Sequence, residues 1–382
     1  MNRNKIVFLT GTRADFGKVK SLIEILQNTD LFEIHIFATG MHMNNKYGLT
    51  VREIEKCGYS NIFKYINHDA GSSMDITLSR TIEGFANYVH LIQPDLIVVH
   101  GDRIEALAGA TVGALNNILV AHIEGGEISG TVDELIRHAV SKLSHTHFVA
   151  NEEAKVRLVQ MGERSESVFV IGSPDLDAMK SDVLPSITEV KNYYEIPFDR
   201  YAISMFHPVT TEFNKMDKYA EEYIKALDES NYNYIVIYPN NDSGSDFILS
   251  EIRKIEGKER FRIFPSVRFE AFLSMMENAD FIVGNSSAGI REAPFYGVPT
   301  VNVGTRQNGR TKNKNIIHTS YNKNDILAGI KRASQVTVEP ISLFGDGKSD
   351  HLFLEIVSQD YFWNTSKQKV FTDALALESN AL

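Results

Sequence analysis

The feature that most restricts this chain is a rhythm. Short runs rich in β-formers alternate with amphipathic helical stretches from the first residues onward. Residues 6–10, 33–38, 96–99, 119–123, 147–150 and 168–171 read as strands, and helices are predicted over 17–28, 77–92, 105–115 and 133–143 between them. Strands separated by helices need right-handed crossovers and build a parallel sheet covered on both faces. The following stretch, to about residue 197, has no strand pattern and carries Pro174, Pro185 and Pro197, which places a domain junction there. The rhythm then restarts, with strands predicted over 201–206, 234–238, 261–264, 281–283 and 300–303 and helices over 218–230, 247–256, 269–278 and 289–296. The expectation is an α/β chain with two doubly wound sheets, domain 1 over 1–178 and domain 2 over 179–357, facing a cleft at the carboxyl ends of their strands. A C-terminal helix within 358–382, its regular part near 360–375, is expected to return to the first domain.

Composition narrows the class. The 382 residues are 43% hydrophobic, enough for two cores. A formal net charge of −10 argues against a surface that grips the backbone of nucleic acid, so any phosphate is held by a few placed residues. The single cysteine, Cys57, excludes an internal disulfide framework and multi-cysteine metal sites, and fits a reducing compartment, the cytoplasm. The N-terminal stretch before Gly11 is too short for a signal h-region, and no apolar run approaches the roughly 18 residues a membrane helix needs. No membrane partner is expected.

The motifs lie where predicted strands end. Gly11-Thr12-Arg13-Ala14-Asp15-Phe16-Gly17-Lys18 is a glycine-flanked turn opening a helix, a place where backbone N–H groups favour an anion. It is neither a P-loop nor a dinucleotide fingerprint, and Arg13 and Lys18 are either ligand contacts or a solvated loop and helix surface. Strand 96–99 runs into His100-Gly101-Asp102-Arg103, and strand 119–123 into Glu124-Gly125-Gly126-Glu127. Asp102 and Glu124 could be ordinary caps or ion pairs, and Asp133 with Arg137, spaced i, i+4, a surface pair. Taken together, Asp102, Glu124 and Asp133 emerge from consecutive βα units on one sheet edge, and paired carboxylates in a closed site can divide acid and base roles. In the second domain, His207 follows a strand directly and reads as a phosphate donor, an acid or a histidine satisfied in its loop. Gly284-Asn285-Ser286-Ser287-Ala288-Gly289 leads from strand to helix as an anion site, with Glu292 in the first turn or so as a ribose acceptor.

These residues resemble the UDP-N-acetylglucosamine 2-epimerases, and most closely the hydrolysing branch that makes N-acetylmannosamine for sialic acid synthesis. GTRADFGK, HGDR, HIEGGE, SGTVDELIRH, FHPVTTE, GNSSAGIREAP and GTRQNGR carry the resemblance over nearly the whole chain. It implies a GT-B-like pair of Rossmann domains and a UDP-sugar substrate held mainly by the second domain. By resemblance, Arg13, His207, Ser286 and Ser287 contact the diphosphate, Glu292 binds the ribose, and Lys18 lies with the sugar. Arg103 and Arg137, in the matching motifs, join the substrate-binding set, and the chemistry depends on Asp102, Glu124 and Asp133. A homodimer through the first domain is also expected from the resemblance.

The chemistry expected is elimination of UDP across C1 and C2 to 2-acetamidoglucal, then hydration with inversion at C2. It involves no net redox, so neither a cofactor nor a metal is expected. Two other readings fit the motifs: the same reaction on UDP-2,4-diacetamido-2,4,6-trideoxyglucose, and glycosyl transfer on the same fold.

Overall fold

A computed structural model describes residues 3–68, 72–129, 132–179, 184–308, 316–341, 344–345, 347–370 and 372. The chain divides into two compact units: Met1–Glu127, Asp133–Lys180 and Phe344–Leu382 form unit 1, and Ile128–Val132 with Ser181–Leu343 form unit 2.

Unit 1 holds β1 (Asn4–Thr10), α1 (Arg13–Gln27), β2 (Phe32–Ala38), α2 (Val51–Lys56), β3 (Ile62–Lys64), α3 (Met74–Ile92), β4 (Leu96–His100) and α4 (Ile104–Leu115). It continues with β5 (Leu119–Ile123), α5 (Val132–Leu143), β6 (Thr146–Val149), α6 (Glu152–Gln160), β7 (Val168–Val170) and α7 (Pro174–Met179). Its seven strands are ordered β3-β2-β1-β4-β5-β6-β7, every pair parallel. The order reverses between β1 and β4, so the loops after these strands flank the position where doubly wound sheets take ligands. The helix α1 shows why the sequence folds this way. Thr12 and Asp15 form a reciprocal capping box, and Phe16, Val19, Leu22, Ile23 and Leu26 recur on one buried face. Fully burying each such side chain contributes about 1.5–3 kcal/mol.

Unit 2 holds α8 (Ile187–Tyr193), β8 (Ala202–Met205), α9 (Met216–Glu229), β9 (Tyr234–Ile237), α10 (Ser245–Ile252), β10 (Phe261–Phe264) and α11 (Phe269–Glu277). After these come β11 (Ile282–Gly284), α12 (Glu292–Phe295), β12 (Thr300–Val303), β13 (Ile316–Thr319) and α13 (Lys323–Ala333). The six parallel strands run β10-β9-β8-β11-β12-β13, which repeats the reversal between β8 and β11. Gly284 is required there: its φ is +136°, and a Cβ would stand 1.9 Å from the Met205 carbonyl oxygen on the neighbouring strand.

Two expectations need correction. In place of one C-terminal helix from about residue 360, the described residues form α14 (Ser349–Val357) and α15 (Asp360–Trp363), and residues 364–370 carry no helix. Asn364, Thr365 and Ser366 compete for backbone hydrogen bonds and suit a helix end. Residues from 373 on lie outside the described set. Phe353 and Val357 of α14 and Phe362 of α15 enter the same core as Leu22, Val98 and Phe148. Second, the helix expected over 289–296 is a 3-10 turn, Ser287–Gly289, followed by the single turn α12. Pro294 inside α12 lacks the N–H that a longer helix would use. Among the described residues no helix is long and apolar enough to cross a membrane.

Candidate functional site

At the switch point of unit 1, the turn after β1 is not the open anion cradle that its glycines suggest. The Asp15 carboxylate accepts from the N–H groups of Gly11 (3.0 Å) and Thr12 (3.0 Å), while Thr12 Oγ1 accepts from Asp15 N–H (3.1 Å). Three backbone donors are therefore occupied by the turn's own side chains, and the positive end of α1 is already met by an acid. The Arg13 guanidinium projects from this turn, 3.6 Å from Glu53 Oε1. Lys18, one turn further on, is buried and donates from Nζ to Asp175 Oδ2 at 2.9 Å. Asp175 escaped the sequence reading because three prolines made its neighbourhood look like a linker; Pro174 instead occupies the first position of α7, where its missing N–H costs nothing.

The loops after β4 and β5 carry Asp102 and Glu124 away from adjacent strand ends. Gly101 turns the chain at φ +71°, its N–H donating to the Ile123 carbonyl at 3.0 Å. His122 Nε2 donates to the Gly101 carbonyl at 2.8 Å, so in the neutral ring Nδ1 accepts from Ser141 Oγ at 3.0 Å. Asp102 follows and is ion-paired with Arg137 Nη2 of α5, whose Nη1 donates to the Glu127 carbonyl at 3.2 Å. Burial works to lower the Arg137 pKa, but the carboxylates of Asp102, Glu127, Glu124 and Asp133 outweigh it and the net shift is upward. Arg137, for which the i, i+4 spacing allowed a surface pair and which the resemblance put with the substrate-binding residues, is thus a buried cation with all three predicted acids in its field.

Glu124 sits at φ +64°, a left-handed backbone that a residue with a Cβ rarely adopts. It is held there by its N–H to the Phe148 carbonyl at 2.9 Å and by Ser173 Oγ, which donates to Oε1 at 2.5 Å. His100 Nε2 stands 3.2 Å from Oε2. Arg103 lies in the extended position before α4 with Nε 3.4 Å from Oε2 of Glu105, a buried acid packed under Gly11 that the helical pattern had concealed.

Histidine burial in this unit has a consequence for stability. Burial pushes the pKa of His122 down to about 3 and that of His42, bonded to Thr10 and Thr50, down to about 4. In the unfolded chain both titrate near 6.5. Their stabilisation is therefore complete above pH 6.5 and is lost as pH falls toward the folded values. Each is expected to cost about 3 kcal/mol by pH 4. Urea midpoints between pH 7 and pH 4 test this; a flat profile would sink it.

In unit 2, the loops after β8 and β11 are stapled by Asn285. Its Oδ1 accepts from the His207 N–H at 2.6 Å, and its Nδ2 donates to the His207 carbonyl at 2.8 Å. His207 Nδ1 accepts from the Asn240 N–H at 3.0 Å, which leaves the ring proton on Nε2 and makes this side chain a hydrogen-bond donor. Ser286 Oγ accepts from the Ala288 N–H at 3.3 Å, capping its own 3-10 turn. With only single turns behind them, Ser286 and Ser287 have no long-helix dipole to offer, a correction to the expected helix start; the polar groups this loop pair carries are their hydroxyls and the His207 ring. Glu292 is buried at the start of α12. Gln307 Nε2 and Arg306 Nη1 donate to the Asn285 carbonyl at 2.9 and 3.3 Å; the motif's last residues, Gly309 and Arg310, lie outside the described set, as do Gly130 and Thr131.

A family model described as UDP-N-acetylglucosamine 2-epimerase matches residues 24–358. The chain belongs to the UDP-N-acetylglucosamine 2-epimerase family. It is 50% identical over 97% of its length to the UDP-N-acetylglucosamine 2-epimerase of Neisseria meningitidis serogroup B, covering 99% of that protein. It is 36% identical to the UDP-N,N'-diacetylbacillosamine 2-epimerase (hydrolyzing) of Legionella pneumophila, over 90% of this chain and 93% of that one. Polysialic acid biosynthesis protein P7 of Escherichia coli is 34% identical, over 85% of this chain and 86% of that one. Among solved structures, the Methanocaldococcus jannaschii UDP-GlcNAc 2-epimerase, in complex with UDP-GlcNAc and UDP, superposes with a TM-score of 0.78 at 21% identity, covering 93% of this chain and 99% of that chain. At that identity the likeness concerns fold, and it places both units of this 2-epimerase family member in the GT-B-like class.

Proposed function

We propose that the protein is a hydrolysing UDP-N-acetylglucosamine 2-epimerase, converting UDP-N-acetylglucosamine and water to N-acetylmannosamine and UDP, the first step of sialic acid synthesis. The observation that carries this reading is geometric: Asp102 is ion-paired with buried Arg137, Glu124 follows the end of the adjacent strand, and Asp133 lies one turn before Arg137 on the same helix. Four carboxylates act on that one buried cation, these three and Glu127, which is more than a transferase needs to activate a single acceptor. They match the needs of a reaction that moves a proton at C2 twice, on opposite faces.

The C2 hydrogen is not α to a carbonyl, so its removal must be coupled to departure of a good leaving group at C1. A carboxylate takes the C2 proton while the C1–O bond to UDP breaks, leaving 2-acetamidoglucal. Water then adds at C1 as a carboxylic acid delivers a proton to the other face of C2, which inverts that centre. We assign C2 to Asp102 and Glu124, and the orientation of water to Asp133. Lys18 and Arg103 are assigned to the sugar, and Arg13, His207, Ser286 and Ser287 to charge developing on the diphosphate, with Glu292 on the ribose. Arg137 holds Asp102 in place.

A second reading keeps the reaction and changes the sugar to UDP-2,4-diacetamido-2,4,6-trideoxyglucose. Relatives named for that sugar are 36% and 32% identical, whereas those named for UDP-N-acetylglucosamine include one at 50% and others at 24–25%. Proton NMR with UDP-N-acetylglucosamine in D2O decides between them. Free N-acetylmannosamine carrying deuterium at C2 is expected. Turnover of the diacetamido sugar alone would favour the second reading, and silence on both would send the chain to glycosyl transfer. Replacing Asp133 by Asn is expected to lower kcat about 100-fold with UDP affinity unchanged; equal losses in both would overturn its assignment.

We further infer a cytoplasmic homodimer. Leu91 and Leu115, exposed at the ends of α3 and α4 that the His90–Asn116 bond joins at 2.9 Å, are the side chains on unit 1 that we infer a second copy covers. Sedimentation equilibrium should return twice the chain mass.

A further inference from the structure

The segment between β7 and α7 contributes a group that the mechanism above does not use. Ser173 is buried and bonded in two directions. Its hydroxyl donates to Glu124 Oε1 at 2.5 Å, and its N–H donates to the Phe344 carbonyl at 2.7 Å, at the point where the chain re-enters unit 1. Gly172, at φ +85°, and Gly345, at φ +115°, let these two stretches of backbone lie against each other; a Cβ on Gly345 would come within 2.6 Å of Gly172 Cα. The Ser173 main chain is therefore held from both sides, and the hydroxyl is set by its bond to Glu124 Oε1.

Glu124 has use for such a partner. Its carboxylate rises from a strained left-handed backbone, and the titratable groups around it include His100 from β4, with Nε2 3.2 Å from Oε2, and Arg137 from α5. We propose that Ser173 is a positioning residue for Glu124: its hydroxyl aims Oε1 and stabilises the ionised carboxylate, so that Glu124 exchanges its proton with substrate at the pH and in the orientation that turnover requires. This rests on the 2-epimerase reading for its effect on rate, but not for its effect on the carboxylate itself.

A hydroxyl that donates to a carboxylate favours the ionised form, so its loss moves ionisation to higher pH. In Ser173→Ala, the Glu124 side-chain carboxyl, followed by carbon-13 NMR and assigned by its absence in Glu124→Gln, is expected to titrate about one pH unit higher than in the wild type. The kcat for UDP-N-acetylglucosamine is expected to fall about 10- to 100-fold with KM within about 2-fold, and one limb of the kcat/KM profile to move up with the carboxyl. Ser173→Thr keeps the hydroxyl and should titrate as the wild type does. An unchanged Glu124 titration in Ser173→Ala overturns the proposal, as does a Thr variant that titrates with the Ala variant, since that would trace the effect to packing. Failure of the wild type to release UDP would fell the functional reading instead, while the titration would still decide what Ser173 does to Glu124.

Discussion

Replacing Glu124 by Gln is expected to reduce turnover of UDP-N-acetylglucosamine by about 10³-fold and to leave UDP binding within about 2-fold. The substitution is nearly isosteric. Gln can accept the Ser173 hydroxyl through its amide oxygen, and the left-handed backbone at this position, held by the Glu124 N–H to the Phe148 carbonyl, is untouched. What disappears is the ability to take or give a proton at C2. Because that loss is felt only as the C2–H bond breaks or forms, it lowers kcat and kcat/KM together and spares the ground-state complex. Steady-state kinetics paired with calorimetric titration of UDP separates the two quantities. A loss in kcat below about 10-fold would remove Glu124 from the proton path and leave C2 to Asp102 and Asp133.

Much of the fold could be read in advance because parallel strands buried on both faces leave a strong signal. Residues 119–123, 261–264 and 300–303 end where the alternation says they do. The edge strand Ile62–Lys64 is only three residues long and mostly exposed, too short for a pattern to show, and the helix Lys323–Ala333 lies outside the expected elements although its buried Ile326, Gly329, Ile330 and Ala333 keep a helical spacing. The acids were legible because the loops after consecutive strands must share one sheet edge. Arg137 was legible as a residue but not as a buried cation, since an i, i+4 spacing says which helix face it shares with Asp133 and nothing about the loops that close over it. The first turn differs from its motif for a related reason: the Asp15 carboxylate, through its capping geometry, takes the N–H groups of Gly11 and Thr12 that an anion would use. In the second unit, Pro294 stood in plain view, and giving it full weight would have shortened the helix after Ser287.

Arg137→Met should produce the largest loss of stability of any single change near this site, about 3–5 kcal/mol at neutral pH. Met approximates the volume of the Arg stem, so the change is chiefly electrostatic. The guanidinium is almost wholly buried, ion-paired with Asp102 and bonded to the Glu127 carbonyl, with Glu124, Glu127 and Asp133 also in its field. Removing it leaves neighbouring carboxylates to repel one another with their compensating cation gone, and a partly buried Asp102 without its partner. Removal of one partner from a buried pair costs far more than the pair contributes relative to an apolar replacement of both. The sign of the pH dependence follows. At neutral pH the variant keeps its carboxylates charged and bears the whole penalty; as pH falls they protonate more readily in the folded variant than in its unfolded chain, so the deficit relative to the wild type shrinks. Urea denaturation of both proteins at pH 7.5 and pH 5.5 reads the difference directly. A loss under about 1 kcal/mol at pH 7.5, or a deficit that grows on acidification, would mean that the acids do not depend on Arg137 to remain side by side.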